Sequence, residues 1–216
     1  MSADFLWAER PKRRGPKPAL TVEAIADAAT AIADAEGLAA VSMQRVAADL
    51  GFTKMSLYRY LPGRAELVAV MLERALGPAP EISGGSWRDA LVTWSECLRE
   101  AYIGHPWALE AVIGNRPIGP HEMGWMEAAL ARIPTTLTGS ERMDTVAVLA
   151  GHVRAIAAQE ATMGSESELT KSFAGHAAEF PAIMAALRDT TGADNAFHFG
   201  LERILDGLEH LVNGRV

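Results

Sequence analysis

The sequence predicts an all-α protein: an N-terminal three-helix head with a helix-turn-helix, and a larger helical body. Three observations carry this. Apolar residues recur at three- and four-residue spacings along the chain, and no segment alternates as a half-buried strand would. Two short helical patterns meet at a glycine within residues 42–67, SMQRVAADLGFTKMSLYRYLPGRAEL. Charge is also divided unevenly. Residues 1–76 carry 10 Lys and Arg against 9 Asp and Glu, and the remainder carries 10 against 18, within a net charge of −7 over 216 residues. A mildly basic N-terminal part on an acidic body suits a nucleic-acid reader attached to a part with another task.

The elements follow in order. Residues 21–36 place Val22, Ile25, Ala26, Ala29, Ile32 and Ala33 on one helical face, with Thr21 as cap and Gly37 as stop. Ser42 opens a second helix, to which Val46, Ala47 and Leu50 give an apolar face. Gly51 supplies the positive φ of a tight turn, and Thr53 caps a third helix. That helix carries Met55, Leu57, Tyr58 and Leu61 as apolar side chains, with Lys54, Ser56, Arg59 and Tyr60 between them. Pro62-Gly63 breaks the chain. Residues 64–76 form a fourth helix that should join head to body, and residues 77–86, GPAPEISGGS, mark the boundary. Three parts are expected: a flexible basic arm over 1–18, the head with its connecting helix over 19–77, and the body over 78–216.

In the body, Trp87, Leu91, Trp94, Leu98 and Ala101 recur at four and three residues. Gly104-His105-Pro106 leads to a short helix ending near Ile113, then a loop from Gly114 to Pro120. Helices follow over 121–133, over 141–163 with Ser140 as candidate cap, over 179–189, and from about Asp194 to Val212. Residues 164–176 read as a polar loop. In the last helix Phe197, Leu201, Ile204, Leu208 and Leu211 form a heptad seam, widened by Phe199, Leu205 and Val212. Such a helix needs more than one partner, within the core or across a dimer.

Helix, short turn and polar second helix form the DNA-reading helix-turn-helix, although the same hairpin also serves as a packing unit. Arg10, Lys12, Arg13, Arg14 and Lys17 precede it, interleaved with Pro11, Gly15, Pro16 and Pro18, a density that forbids a helix. Alone this arm reads as a solvated tail. Beside a helix-turn-helix it suits phosphates or a minor groove.

The run from TVEAIADAATAIADAEG through SMQRVAADLGFTKMSLYRYLPGRAELV resembles the TetR family of bacterial transcription regulators. Ala47, Gly51, Thr53, Leu57-Tyr58, Arg59-Tyr60, Arg64 and Glu66-Leu67 carry the likeness, which covers about residues 20–77. Met55 and Leu61 depart from the usual pattern. The ending FHFGLERILDGLEHLV resembles the C-terminal helix of the branch containing the tetracycline repressor itself. The resemblance implies a cytoplasmic homodimer, a repressor in action, that binds a palindromic double-stranded operator and responds to a small-molecule effector. It implies DNA contact by Gln44, Arg45, Thr53, Lys54, Met55, Ser56, Tyr58, Arg59, Tyr60 and Arg64. Gln44, Lys54 and Met55 are then the base-edge candidates, and Thr53, Ser56, Tyr58, Tyr60 and Arg64 the phosphate candidates.

Mixed aromatic and polar residues in the body suggest an effector pocket built from Trp94, Tyr102, Trp107, Arg116, Trp125, Met126, His152, Gln159 and Met163. Leu149, His152, Ile156, Gln159 and Met163 share one face of the long helix, so His152 and Gln159 are the expected polar anchors of a largely apolar ligand. With no excess of Lys or Arg on that face, a strongly anionic ligand is disfavoured, Arg116 being the reservation. The alternative is an all-α small-molecule carrier or enzyme with a vestigial head. Cys97, the one cysteine, excludes an internal disulfide, and nothing nearby in sequence activates it as a nucleophile. His121-Glu122 point about 100° apart on a helix and make a poor chelate. No metal, cofactor, leader pattern or membrane span is expected.

Overall fold

The computed structural model describes residues 4–7, 20–114, 116–162, 176, 178–188 and 195–215. Among these every regular element is helical. α1 (Asp4–Trp7) precedes the head, which comprises α2 (Val22–Glu36), a 3₁₀ turn (Leu38–Ala40), α3 (Met43–Asp49) and α4 (Lys54–Tyr58). The connecting helix is α5 (Arg64–Leu76). The body holds α6 (Trp87–Gly104), α7 (Ala108–Ala111), α8 (Pro120–Leu130), α9 (Gly139–Thr162), α10 (Pro181–Arg188) and α11 (Ala196–Asn213).

Local chemistry accounts for the helix starts. Thr21 Oγ1 accepts from the Ala24 N–H at 3.1 Å, and Ser42 Oγ from the Arg45 N–H at 3.1 Å. Ser86 and Asp89 form a reciprocal capping box on α6. The long helix α9 begins earlier than expected. Thr138 and Glu141 form its box, with the Thr138 N–H donating to the Glu141 carboxylate at 2.8 Å, so Thr138 takes the role assigned to Ser140. Asn195 Oδ1 accepts from the His198 N–H at the start of α11.

α5 joins the two parts. It packs on α2 in the head and on α6, α7 and α8 in the body. Leu67, Met71, Leu72 and Leu76 are all buried, and one apolar cluster runs through α5 from head to body. At about 25 cal/mol per Å² of buried apolar surface, such a shared core ties the two parts mechanically. A second tie is polar: Asp34 of α2 accepts from His105 Nδ1–H at 2.8 Å and from the Trp107 indole N–H at 2.6 Å.

Two expectations meet a different arrangement. Residues Asp4–Trp7 form a helical turn within the arm expected to lack one. Phe5 and Leu6 pack on the core, and the Trp7 indole N–H donates to the Ile118 carbonyl at 3.2 Å. These apolar residues precede the first proline, Pro11, and have surface to bury. The basic residues from Arg10 to Lys17, the polar loop except His176, and Met163 lie outside the described residues. In α11 the heptad seam divides: Phe197, Leu201, Leu205 and Leu208 are buried within the protomer against α9, while Phe199 is 67 % and Leu211 38 % exposed.

Candidate nucleic-acid interface and effector pocket

The turn between α3 and α4 is set by Gly51, whose φ of 72° is costly for any residue with a Cβ. The Phe52 N–H donates to the Ala47 carbonyl at 2.8 Å and closes it. Leu57 and Leu61 are then 0 % and 1 % exposed and anchor α4 to α2 and α3's core. That leaves Lys54, Met55, Tyr58, Arg59 and Tyr60 in solvent, with Met55 66 % exposed. Spacing puts Met55 and Tyr58 in the helix's apolar set, but α4 is too short to bury both sides and the two are exposed. An exposed Met and two Tyr among cations form a surface able to meet methyls, bases and phosphates.

The remaining head candidates are partly engaged inside the protein. The Thr53 and Ser56 hydroxyls bond each other at 3.0 Å, and Thr53 Oγ1 also accepts from the Ser56 N–H. Arg45 pairs with Glu36 at 2.8 Å. Arg64 turns back: its Nε–H donates to the Val41 carbonyl and a terminal N–H to the Leu38 carbonyl, both at 2.8 Å. Arg64 thereby fixes the 3₁₀ turn to the start of α5. Gln44 is exposed beside Arg45.

The body encloses a cavity of about 250 Å³ between α6, α8 and α9, reaching the end of α5. Leu76, Trp94, Leu98, Trp125, Met126 and Met143 supply most of its apolar wall. Val146, Ala147 and Ala150 of α9 complete it, and Tyr102, Glu122 and Arg154 add polar groups. Trp94 and Trp125 meet edge to face, with ring centroids 6.1 Å apart. Their indole N–H groups are used internally: Trp94 donates to the Trp125 carbonyl at 2.8 Å, and Trp125 to the Gly77 carbonyl at 3.1 Å. Burial pushes the Tyr102 hydroxyl pKa up, with Arg154 opposing and Glu122 adding to the rise.

Two links run from this cavity to α5. Trp125 holds the C-cap of α5 at Gly77. Glu73 of α5, only 8 % exposed, caps α8, accepting from the His121 N–H at 2.8 Å and the Glu122 N–H at 3.1 Å. His121 Nδ1–H returns a bond to the Glu73 carbonyl at 2.7 Å. Glu122 is at once a cavity residue and the second residue of this clamp.

Comparison with known proteins agrees with the geometry. Residues 25–71 match the family described as bacterial regulatory proteins, tetR family, and residues 79–212 the tetracyclin repressor-like C-terminal domain. The chain is 40 % identical over 236 residues to the HTH-type transcriptional repressor DrrR1 of Streptomyces coeruleorubidus, covering 98 % of this chain and 86 % of that one.

The chain belongs to the TetR family.

Among solved TetR-like structures, apo ActR of Streptomyces coelicolor superposes with a TM-score of 0.79 at 26 % identity, covering 93 % of this chain and 100 % of that one. ActR in complex with actinorhodin gives 0.76 at 26 % identity, covering 92 % and 99 %. The chain is thus a transcriptional regulator with the family's helical head and body.

Within this TetR-family body the residues singled out from sequence separate into groups. Trp94, Tyr102, Trp125 and Met126 line the cavity together. Arg116 stands beside it, paired with Glu122 at 2.5 and 2.6 Å. Trp107 is buried at the head–body joint on Asp34. His152 and Gln159 face elsewhere. His152 Nε2–H donates to the Phe197 carbonyl at 2.8 Å, and its ring lies so close to Gly200 that a Cβ there would sit 2.2 Å from it. His152 is a strut between α9 and α11. Gln159 lines a separate cleft with Arg99, Ile156 and Phe197.

The reason is that α9 has two apolar stripes. The one identified from sequence packs on α11; the other, Met143, Val146, Ala147, Ala150 and Arg154, faces the cavity. A single Arg at the end of an otherwise apolar stripe was the available signal. Burial, with Glu100 and Glu96 nearby, pushes the Cys97 thiol pKa up, the opposite of an activated nucleophile. Among the described residues no group of three or more His, Cys, Asp or Glu could hold a metal ion, and no helix is long and apolar enough to cross a membrane.

Proposed function

We propose that this protein is a homodimeric repressor that binds a palindromic operator through α3 and α4 and leaves it when a small, largely apolar effector fills the cavity between α6, α8 and α9. The observation that carries this reading is the pair of links from cavity to α5, Trp125 to Gly77 and the Glu73 cap on α8. A ligand wedged between Trp125 and α9 shifts α8, and α8 is fastened to the helix whose other end leads to α4. Release requires the effector to bind the DNA-free arrangement more tightly than the DNA-bound one. The repressor assignment and effector response draw support from DrrR1 and from ActR with actinorhodin.

Lys54, Met55 and Gln44 are the proposed base readers. Thr53, Ser56, Tyr58, Arg59 and Tyr60 hold phosphates, and Arg45 reaches DNA from its partner Glu36. Arg64 acts chiefly by fixing the turn before α5, and its exposed position leaves it able to meet a phosphate. The division into arm, head with connecting helix and body is proposed as first expected, with α5 shared between the last two. Homodimerisation through α9 and α11 is supported by Val148 and Phe199, 53 % and 67 % exposed, and by a shallow apolar groove of Val148, Ile204, Leu208 and Leu211. The cavity is proposed for binding alone, with no catalytic step, in a cytoplasmic protein.

The test is fluorescence anisotropy of labelled promoter DNA beside the gene, titrated with protein and then with aromatic small molecules. DNA should be bound, then released by some of them, and Ala150→Trp, which fills the cavity, should bind DNA without releasing it. Promoter binding no tighter than to random DNA would refute the reading.

A further inference from the structure

The cavity's polar groups are unequal in what they offer, and this points to the charge of its occupant. Both indole N–H groups are spent inside the protein, so Trp94 and Trp125 offer ring surface alone. Glu122, the cavity's carboxylate, is held by two nitrogens of Arg116 at 2.5 and 2.6 Å. Arg154 is different. Among the described residues no carboxylate lies within ion-pair distance of it, and its neighbour is the Tyr102 hydroxyl. A guanidinium has donors only, and a buried phenol that stays neutral keeps its O–H to donate. With Glu122 met by Arg116, Arg154 is the cavity-lining charge without a carboxylate partner among the described residues, and the Tyr102 hydroxyl lies on its side of the cavity. An acceptor-only, negatively charged group fits that side; a cation does not.

We propose that the effector carries one carboxylate on a flat, mainly apolar skeleton, with the carboxylate between Arg154 and Tyr102 and the rings against Trp94 and Trp125. This rests on reading the cavity as the effector site. It replaces His152 and Gln159 as anchors with residues on the other stripe of α9. It also supplies the cation whose absence from the first stripe disfavoured an acidic ligand. The anion sits beside the Arg116–Glu122 pair, and Glu122 belongs to the α8 turn capped by Glu73. Arrival of a negative charge next to Arg154 therefore acts on the turn that fastens α8 to α5.

The probes are 2-naphthoate and its neutral carboxamide, matched in ring and size. Isothermal titration calorimetry on the full chain at neutral pH should give naphthoate at least about tenfold tighter binding than the amide, the scale of one charge-assisted bond. Arg154→Gln should erase that preference, weakening naphthoate far more than the amide, and Arg154→Lys should restore part of it. Tyr102→Phe should lower the preference several-fold, an independent reading if the Arg154 variants unfold by circular dichroism. Equal binding of acid and amide, both blocked by Ala150→Trp, would keep the cavity as the binding site and overturn the carboxylate assignment. Binding of neither probe, or binding that survives Ala150→Trp, would overturn the cavity reading itself.

Discussion

Replacing Glu73 by alanine probes the joint on which effector response depends. Glu73 is 8 % exposed, and its carboxylate accepts from the first two free N–H groups of α8, at 2.8 and 3.1 Å. Losing a helix cap costs about 0.5–2 kcal/mol, and a hydrogen bond to a charged group contributes about 1.5–3 kcal/mol. Relief from burying the carboxylate offsets part of this. The net expectation for Glu73→Ala is a loss of about 1–3 kcal/mol, and Glu73→Gln, which keeps one acceptor oxygen, should lose less than half as much. Urea unfolding at one fixed protein concentration measures it, since dimers gain stability by mass action. The same variants report on coupling. Typical coupling free energies of about 1–3 kcal/mol change operator affinity about 5- to 150-fold. With the clamp cut, the ligand-induced loss of operator affinity should shrink toward unity while ligand still binds. Unchanged stability together with an unchanged ligand response would refute the claim that Glu73 joins cavity and head.

Other predictions follow from the placement of single residues. Lys54→Ala should relax preference at one operator position at a cost of about 1–3 kcal/mol, measured by competition with singly mutated operators; uniform weakening on every sequence would make it a phosphate contact. Val148→Glu with Phe199→Glu should give folded monomers in sedimentation, since both side chains are exposed on the protomer, whereas Leu201→Glu should unfold it. A folded dimer carrying both surface changes would place the interface elsewhere. Arg215, with the Thr138 N–H and hydroxyl, holds the Glu141 carboxyl at about 2, below its ordinary 4.5. A depressed carboxyl stabilises above the higher value and loses that contribution as pH falls through the lower, so the tie between the start of α9 and the C-terminus loosens only in strong acid. Arg215→Ala should return Glu141 toward 4.5 in a carbon-13 titration; no movement would contradict the pairing.

The head was readable because short-range rules decide it. Thr21, Ser42 and Thr53 cap where their types demand, Gly51 takes the one backbone state it alone tolerates cheaply, and Leu57 and Leu61 lie one helical turn apart. The fourth helix matched its expected ends because Gly63 and Gly77 punctuate it. The cavity was half readable. Trp94, Leu98 and Tyr102 recur at four-residue spacing on α6, and Trp94, Tyr102, Trp125 and Met126 line one cavity together. α9 is apolar on two sides, and periodicity states which residues share a face without stating which neighbour that face meets. His152 looked like a ligand anchor because its partner, the Phe197 carbonyl, comes from 45 residues away. Glu73 was missed for a like reason: capping of one helix by the side chain of another leaves no local signature.

Sequence-specific reading of a two-fold operator can be measured by selection from genomic DNA. Purified protein is mixed with sheared genomic fragments near physiological salt, about 0.15 M, and the retained fragments are sequenced. One inverted repeat should be enriched, its half-sites about 10–10.5 base pairs apart or a multiple of that, bound at least about 10³-fold more tightly than bulk DNA, with Lys54→Ala altering the motif at symmetry-related positions. Retention in proportion to fragment length, with no shared sequence, would contradict it.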